Sequence, residues 1–415
     1  MDESDVSKTE DTPLRPAGYG GLWWGVSMSS LQCEGVAPAA DWSRWEREGR
    51  VPRSSDGNGF ATDYTADFEA FATLGFTHIR LTLEWARLEP EPGRIDRTAF
   101  DRYDDILSAA RKAGLSVIAT LAHGTLPGWF ADDTQGFRDP AGRERDWARH
   151  VDRCAERYDS DVDVWVPVDD PVGWAVRGYL LGSRPPGLRD PETAMAAAEG
   201  ALLASHEAWL LLASGRTPVM GVFGTPTIFG VGPESSPWQR WWHELIFMSG
   251  IRAIQEGELR LPWRTPLVIP EMAGSLDMIG LGHDHPIGID GHGAVTAYPD
   301  QDRRSDTGFT PVPNELAELV AFVSSELPEH PIVVAGNGVP TSDDEWREEI
   351  LKDIVDVVVG ARQDGVNLAG YLHDTGIDGY EGPYGFATQR GLLTRSRDVK
   401  DSGAWLSAQL NGSAG

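Results

Sequence analysis

Acidic, imidazole and carboxamide side chains recur in this sequence at the ends of short apolar segments. They are Gln32, His123, Asp169, Asp170, His283, Asp284, His285, Asn337, His373 and Asp374. Aspartate and histidine side chains that lie within reach of each other can transfer protons to and from a bound molecule near neutral pH. The pattern therefore predicts a polar site for acid/base chemistry, if the fold brings the segment ends together.

The segments themselves predict such a fold. Eight apolar or β-branched runs alternate with helical patterns, which is typical of βα units around a parallel sheet. The predicted strands are residues 22–28, 78–85, 116–123, 163–169, 218–225, 277–283, 331–335 and 367–373, and residues 98–113 and 343–363 have helical periodicity. We predict the α/β class and a (β/α)8 TIM barrel, a single domain with extended βα loops. In such a barrel the active site lies at the carboxyl ends of the strands.

The domain limits follow from composition. Residues 1–18 are acidic and polar, and we expect a disordered tail there, with the barrel over residues 19–415. The longest apolar stretch, residues 194–214, is interrupted by Glu199, His206 and Glu207, which favours a helix against a core over a membrane span. Cys33 and Cys154 fit no disulfide framework and no metal-ligand spacing, so we expect two buried thiols and a cytoplasmic location.

The charge balance restricts the partners. Asp and Glu number 64 against 36 Lys and Arg, a formal net charge of -28. Such a chain repels phosphate backbones and anionic lipid head groups, so nucleic acid and membranes are not expected as partners. We expect a small sugar-like or polar substrate, with the acidic strand ends favouring a cationic one, and no cofactor. The 16 tryptophans exceed the needs of packing and suit a sugar-binding cleft.

A series of motifs, in order along the chain, resembles glycoside hydrolase family 1. LWWGVSMSSLQCEG (22–35) resembles the family's FxWG strand and SSxQxEG turn. DVWVPVDDP (163–171), followed by GYLLGSRPPG, corresponds to WxTxNEP and GYxxGxxxPG. The other matches are GFTHIRLTLEWARLEP (75–90), VIATLAHGTLP (117–127), SLDMIGLGHD (275–284), PIVVAGNG (331–338) and GYEGPYGFATQRGLL (379–393).

The resemblance implies retaining β-glycoside hydrolysis, which uses two carboxyl groups roughly 5 Å apart. Asp170 aligns with the family's acid/base glutamate and is one methylene shorter. Gly336 aligns with the nucleophilic glutamate, and glycine has no side chain with which to attack. We therefore do not expect ordinary retaining β-glucosidase activity.

Other positions differ from the family together. Asp284 aligns with a tyrosine beside the nucleophile, Asp374 with the tryptophan under the sugar, and Gly124 and Gly382 with further tryptophans. Residues that match the family's sugar-binding groups remain: Gln32, His123 and Glu381, with Arg80 at the position of the arginine beside the nucleophile. A buried guanidinium needs an anionic partner. For Arg80 we predict Asp284, or else a bound anion or a substrate carboxylate.

We therefore divide the candidate site into two groups. The predicted catalytic residues are Asp170, Asp284 and His123; the predicted ligand-binding residues are Gln32, Arg80, Asp169, His283, His373, Asp374 and Glu381. A metal site, with two ligands from His283, Asp284 and His285 and help from Asp374 or His123, is a less favoured alternative.

Three functions remain open. The first is a repurposed enzyme that acts on a glycoside or small polar metabolite by elimination, cyclisation or direct attack of water, without a covalent glycosyl-enzyme. The second is residual β-glycosidase activity with water or an anion in place of the nucleophile. The third is a non-catalytic carbohydrate-binding pseudoenzyme.

Overall fold

The computed structural model of the protein describes residues 18–133, 135–298 and 303–412. The disordered tail expected over residues 1–18 falls almost entirely outside these ranges. The domain limits stay a prediction.

Eight parallel strands form the central sheet of the described chain. They are β1 (Trp23–Ser27), β2 (His78–Thr82), β3 (Ser116–Ala122), β4 (Val164–Val168), β5 (Met220–Gly224), β6 (Met278–Gly282), β7 (Ile332–Asn337) and β8 (Leu368–Asp374). Neighbours in the sheet are also neighbours in the chain, and β8 pairs with β1. Parallel bridges from Trp165 to Val219 and from Asp169 to Val222 join β4 to β5 and close the sheet. This confirms the predicted barrel and all eight strands.

Apolar side chains fill both faces of the barrel wall. Ile118, Val166, Met220, Val333 and Leu372 belong to a buried cluster inside the barrel. A larger cluster lies between the strands and the surrounding helices, which is why the strands are near-continuous apolar runs rather than alternating ones.

Helices cover the outside of the barrel. The α-helices are Ser30–Glu34, Asp41–Arg47, Phe60–Thr73, Trp85–Leu88, Arg97–Lys112, Pro140–Gly142, Ala148–Tyr158, Pro171–Ala175, Pro191–Leu212, Ser236–His243, Ser249–Glu256, Pro313–Glu326, Asp344–Gln363 and Asp401–Gly412. The carboxylates of Asp96 and Asp343 accept hydrogen bonds from the first turns of Arg97–Lys112 and Asp344–Gln363. Both predicted helices are confirmed to within one residue at each end.

The remaining segments extend the loops. A small sheet combines Ile228–Gly230, Ile287–Ile289 and Val295–Ala297, and Glu258–Leu259 pairs with Leu267–Val268. Short 3₁₀ helices lie at Tyr19–Gly21, Gly136–Arg138, Pro270–Met272 and Gly382–Tyr384, and π-helical turns at Trp129–Asp133, Arg143–Trp147, Val176–Leu180 and Glu244–Met248.

Two further expectations concern the helices and the thiols. None of the helices in the described ranges is long and apolar enough to cross a membrane. The stretch predicted to pack on the core is the helix Pro191–Leu212, where Ala198, Ala201 and Ala208 are buried. Cys33 and Cys154 are buried and free, as predicted.

Candidate active site

A cavity of about 600 Å³ opens at the carboxyl ends of the strands. This is the size of a small-molecule site and the end at which TIM barrels carry their active sites. Among its lining residues are Gln32, Arg80, His123, Asp169, Asp170, Arg177, Arg184, Asp284, Asp374, Glu381 and Arg390.

One side of the cavity, which we call the paired wall, consists of Arg80, His123 and Asp169. Arg80 lies in β2 and is only 3% exposed, and its Nη2 donates to Oδ1 of Asp169, just past β4. Its Nε donates to Thr120 Oγ1 at 3.1 Å and its Nη1 to the carbonyl oxygen of Ala335 at 3.2 Å. Nε2 of His123 lies 3.2 Å from the other oxygen of Asp169. Asp169 therefore bridges a cation and an imidazole.

The protonation states of this wall follow from its contacts. Burial raises the pKa of Asp169, but Arg80 and His123 outweigh that effect and hold it at about 2. Burial, helped by the charge of Arg80 and opposed by Asp169, lowers the pKa of His123 to about 4. At neutral pH His123 is a neutral imidazole that donates Nε2–H to Asp169 and accepts from Thr82 Oγ1 at 3.2 Å through Nδ1.

The opposite side, which we call the crowded wall, gathers Asp284, Asp374 and Glu381 around Arg390. Nη1 of Arg390 lies 2.8 Å from Oδ2 of Asp284 and 3.3 Å from Oδ2 of Asp374, and its Nε lies 3.4 Å from Oε2 of Glu381. Arg390 is 13% exposed and comes from the loop after β8. One guanidinium thus serves three carboxyl groups.

The three acids share one cation, and their pKa values differ. Burial, together with the negative charges of Asp374 and Asp284, raises the pKa of Glu381 to about 8. The positive charge of Arg390 opposes this rise. Burial, together with the negative charge of Asp284, likewise raises the pKa of Asp374 to about 6. Arg390 again opposes the rise. The pKa of Asp284 is lowered, because Arg390 and His285 outweigh burial. At neutral pH Glu381 is therefore mainly protonated, and the pKa of Asp374 lies close to neutral pH.

Gln32 orients Glu381 through the helix that follows β1. Ser29 caps this helix, and the Gln32 carboxamide oxygen accepts from Ser29 N at 3.0 Å and Ser29 Oγ at 2.7 Å. This leaves Gln32 Nε2 to donate to Glu381 Oε1 at 3.4 Å. The cap therefore fixes which end of the amide faces the cavity.

Asp170 lies between the walls and is held by three donors. Its Oδ1 accepts from Gly173 N at 3.0 Å and Gly224 N at 2.9 Å, and its Oδ2 accepts from Arg177 Nη1 at 2.8 Å. A Cβ at residue 173 or 224 would lie 1.9 or 2.5 Å from Asp170 Oδ2, so both positions require glycine. These three donors hold the carboxylate in place in the cavity lining.

Gly336 lies in β7, which extends two residues beyond its predicted end, with a register irregularity between Val334 and Gly336. A Cβ added there would meet only Cβ of Asp374 within 4 Å, at 4.0 Å. The space beside Gly336 therefore borders the Asp374 side chain of the crowded wall.

The cavity brings together eight of the ten predicted site residues. His283 and His373 do not line it: they are 2% and 1% exposed. Nε2 of His283 lies 3.4 Å from Thr227 Oγ1, and Nε2 of His373 lies 3.1 Å from the carbonyl oxygen of Arg390. In residues 18–133, 135–298 and 303–412 no group of three His, Cys, Asp or Glu side chains is arranged to hold a metal ion.

The prediction that Arg80 pairs with Asp284 is wrong. Arg80 reaches Asp169, which follows β4 on the same side of the barrel, while Asp284 pairs with Arg390. Asp284 lies two residues beyond β6, where the Arg390 guanidinium holds its carboxylate at 2.8 Å.

Sequence reasoning missed three cavity arginines, Arg177, Arg184 and Arg390. Arg184 and Arg390 are within quoted motifs, and charge balance was the available signal. A ring of buried carboxylates needs cations, and Arg80 is the one arginine among the predicted site residues.

The fold and the cavity define a closed (β/α)8 barrel with a polar site at its catalytic end. Residues 19–222 and 289–412 match the family described as Glycosyl hydrolase family 1. The chain belongs to this family.

Individual relatives agree with this assignment. "Beta-glucosidase A" of Thermotoga maritima is 26% identical over 436 residues, which cover 93% of this chain and 96% of that protein. "Lactase-like protein" of Mus musculus is 24% identical over 452 residues, covering 92% and 78%. The structure of a "beta-glycosidase from Pyrococcus horikoshii" superposes with a TM-score of 0.86 at 25% identity, covering 93% of each chain.

Proposed function

We propose that this protein is a repurposed family member that acts on a glycoside or small polar metabolite by acid/base chemistry, without a covalent glycosyl-enzyme. One observation carries the proposal. The side chain of Asp374 borders the position of Gly336, and burial raises the pKa of its carboxyl to about 6. A base with such a pKa beside the reacting centre suits proton transfer at neutral pH.

In the proposed reaction Asp374 is the general base and Glu381 the general acid. The Asp374 carboxylate takes a proton from water, and the water oxygen bonds to the anomeric carbon. The glycosidic bond breaks and the leaving oxygen takes the proton of Glu381, whose carboxyl has its pKa raised by burial to about 8. This direct attack inverts the anomeric configuration. Elimination or cyclisation would use the same base and acid.

The predicted catalytic residues Asp170, Asp284 and His123 then become positioning residues. Asp170 contacts Arg177 and two backbone amides, Asp284 contacts Arg390, and His123 contacts Asp169. Asp284 also affects the base, because its charge raises the pKa of Asp374.

Residual β-glycosidase activity with a surrogate nucleophile is the second candidate. The room beside Gly336 supports it, since a Cβ there would have one neighbour within 4 Å. It predicts that formate or azide accelerates release of a good aryl leaving group. If neither anion changes the rate, this candidate is eliminated.

The charge of the substrate and the cellular location are two further parts of the proposal. A cationic substrate, expected from the acidic strand ends, has less support because the cavity lining contains four arginines against five carboxyl groups. A cytoplasmic location is supported by the free, buried thiols of Cys33 and Cys154.

The test is a search for a covalent intermediate during turnover. Purified protein is incubated with 4-nitrophenyl β-glycosides, and the anomer first formed is identified by NMR. The protein is also exposed to a 2-deoxy-2-fluoro aryl glycoside and weighed intact by mass spectrometry. We expect the inverted anomer and no added mass.

The Gly336→Glu variant is the matched control, because it restores a carboxylate where an adduct can form. Added mass on the native protein, or a retained anomer, contradicts the proposal. Sugar binding without release of nitrophenol from any glycoside would favour the carbohydrate-binding pseudoenzyme.

A further inference from the structure

Arg184 occupies an unusual place in the cavity. It lies in the loop after the π-helical turn Val176–Leu180, where its backbone N–H donates to the carbonyl oxygen of Arg177 at 3.3 Å. A Cβ added at Gly124 would lie 3.2 Å from Nη1 of Arg184, and one at Gly382 would lie 3.8 Å from its Nη2. The guanidinium thus lies against two glycines where the resemblance places tryptophans.

The cavity arginines differ in their partners. Arg80 pairs with Asp169, Arg177 with Asp170, and Arg390 with the crowded wall. Within the described ranges Arg184 forms no ion pair, and its Cζ lies 5.7 Å from the centroid of the Trp42 ring. It is half-buried and lines the same cavity as Asp374 and Glu381.

A second cation beside Arg184 also lines the cavity. The side chain of Arg177 is 35% exposed and contacts Asp170 through Nη1. The two guanidinium groups repel each other: burial and the charge of Arg177 together lower the pKa of Arg184 to about 10, against the opposing charges of Glu381, Asp170 and Asp169. None of these carboxylates forms an ion pair with Arg184 in the described ranges, so its donors remain available to another anion.

We propose that Arg184, with Arg177 beside it in the cavity lining, binds an oxyanion group of the ligand, either a carboxylate or a phosphate. The planar fork of a guanidinium matches both groups with two parallel hydrogen bonds. The inference rests on the proposed function for its substrate class, which becomes a glycoside with an anionic substituent. Where an indole would stack on a neutral sugar, Arg184 presents two charged donors.

Binding is tested apart from turnover by isothermal titration calorimetry. The probes are glucuronic acid, glucose 6-phosphate and glucose, titrated into the full chain, Arg184→Gln and Arg189→Gln. Arg189 is the matched control, since it is exposed, follows Arg184 in the same loop and does not line the cavity. We expect at least one charged sugar to bind about ten- to a hundredfold more tightly than glucose, as suits a charge-assisted pair. Arg184→Gln should abolish this preference, and Arg189→Gln should keep it.

The outcomes separate the two proposals. Preference for glucuronic acid assigns a carboxylate and preference for glucose 6-phosphate a phosphate; equal preference assigns a general oxyanion site. Equal or undetectable binding of all three probes, or a preference that survives Arg184→Gln, overturns the inference. Charged sugars that bind through Arg184 without any glycoside being turned over leave the inference standing and contradict the proposed function. If neutral aryl glycosides are turned over and charged sugars bind no better than glucose, the proposed function stands and the inference about Arg184 is contradicted.

Discussion

The two walls of the cavity contain similar groups in different ratios. On the paired wall Arg80 faces Asp169, and the pKa of this acid falls to about 2. On the crowded wall Arg390 faces three acids, and burial raises the pKa of two of them, Asp374 to about 6 and Glu381 to about 8. Burial raises the pKa of the acids on both walls. The walls differ because the neighbouring charges outweigh burial at Asp169, whereas one cation shared by three acids leaves the pKa of Asp374 and Glu381 raised.

The largest expected effect is on turnover after Asp374→Asn. An amide cannot accept the proton of the attacking water, so kcat/KM should fall about a hundred- to ten-thousandfold, the usual contribution of a general base. The rise of activity with pH near 6 should disappear with it. Rates are measured on the aryl glycoside that the native protein hydrolyses best.

Asp284→Asn is the matched control on the same wall. It also removes a charge from Arg390 but keeps the base. Because Asp284 raises the pKa of Asp374, the acid limb of the pH profile should move to lower pH. Equal losses in both variants would contradict a special role for Asp374.

On the paired wall the same type of substitution should change stability. Asp169→Asn leaves Arg80, 3% exposed, without its carboxylate. A buried charge that loses its partner costs about 3–5 kcal/mol. Urea unfolding at pH 7 should show this loss for Asp169→Asn and none for Asp374→Asn, which relieves crowding. A comparable loss in both variants would mean that the walls are alike.

The pH dependence of stability should differ between the walls in sign. Folding raises the pKa of Asp374 and Glu381, so the folded protein holds more protons, and their contribution is lost as pH rises through about 6 and about 8. Asp169, with its pKa at about 2, gives a contribution that is lost as pH falls through that value.

Glu381→Gln tests this contrast. It should reduce the fall in stability between pH 5 and pH 9 by on the order of a few kcal/mol, and should leave the acid side unchanged. Urea unfolding at a series of pH values provides the measurement. An unchanged slope above pH 6 would refute the assignment to Glu381.

The smallest effect is expected at Gly336, beside the crowded wall. Its new Cβ in Gly336→Ala would meet one carbon at 4.0 Å, so stability should change by less than about 0.5 kcal/mol. Gly338→Ala is the contrasting variant, because a Cβ there would lie 2.1 Å from the carbonyl oxygen of Asp374. The free energy of unfolding of Gly338→Ala should fall by more than about 1 kcal/mol. Thermal unfolding of the two proteins distinguishes open from filled space.

Much of the barrel could be predicted from the sequence, because a strand buried on both faces leaves an unbroken apolar run, as in residues 116–123. Its boundaries were less certain: β7 continues to Asn337 through an irregularity that periodicity does not reveal.

The site was predictable only in part. Residues at strand ends, such as His123 and Asp374, line the cavity as the topology requires. The partner of Arg80 was predicted wrongly, since the choice between two carboxylates depends on distances between strands. Arg390 comes from a loop without periodicity, so its three acids could be located but not their shared cation.

The open space at Gly336 has a consequence for how the site tolerates substitution. A Cβ there meets no neighbour closer than 4.0 Å, so the first side-chain carbon fits without a compensating change. At Gly124 and Gly382, φ is +77° and +56° and the Arg184 guanidinium lies alongside. A tryptophan side chain at either position would meet Arg184, so that residue would have to change as well. Substitution at Gly336 is thus independent of its neighbours at the Cβ, while substitution at Gly124 or Gly382 is coupled to Arg184, a case of epistasis.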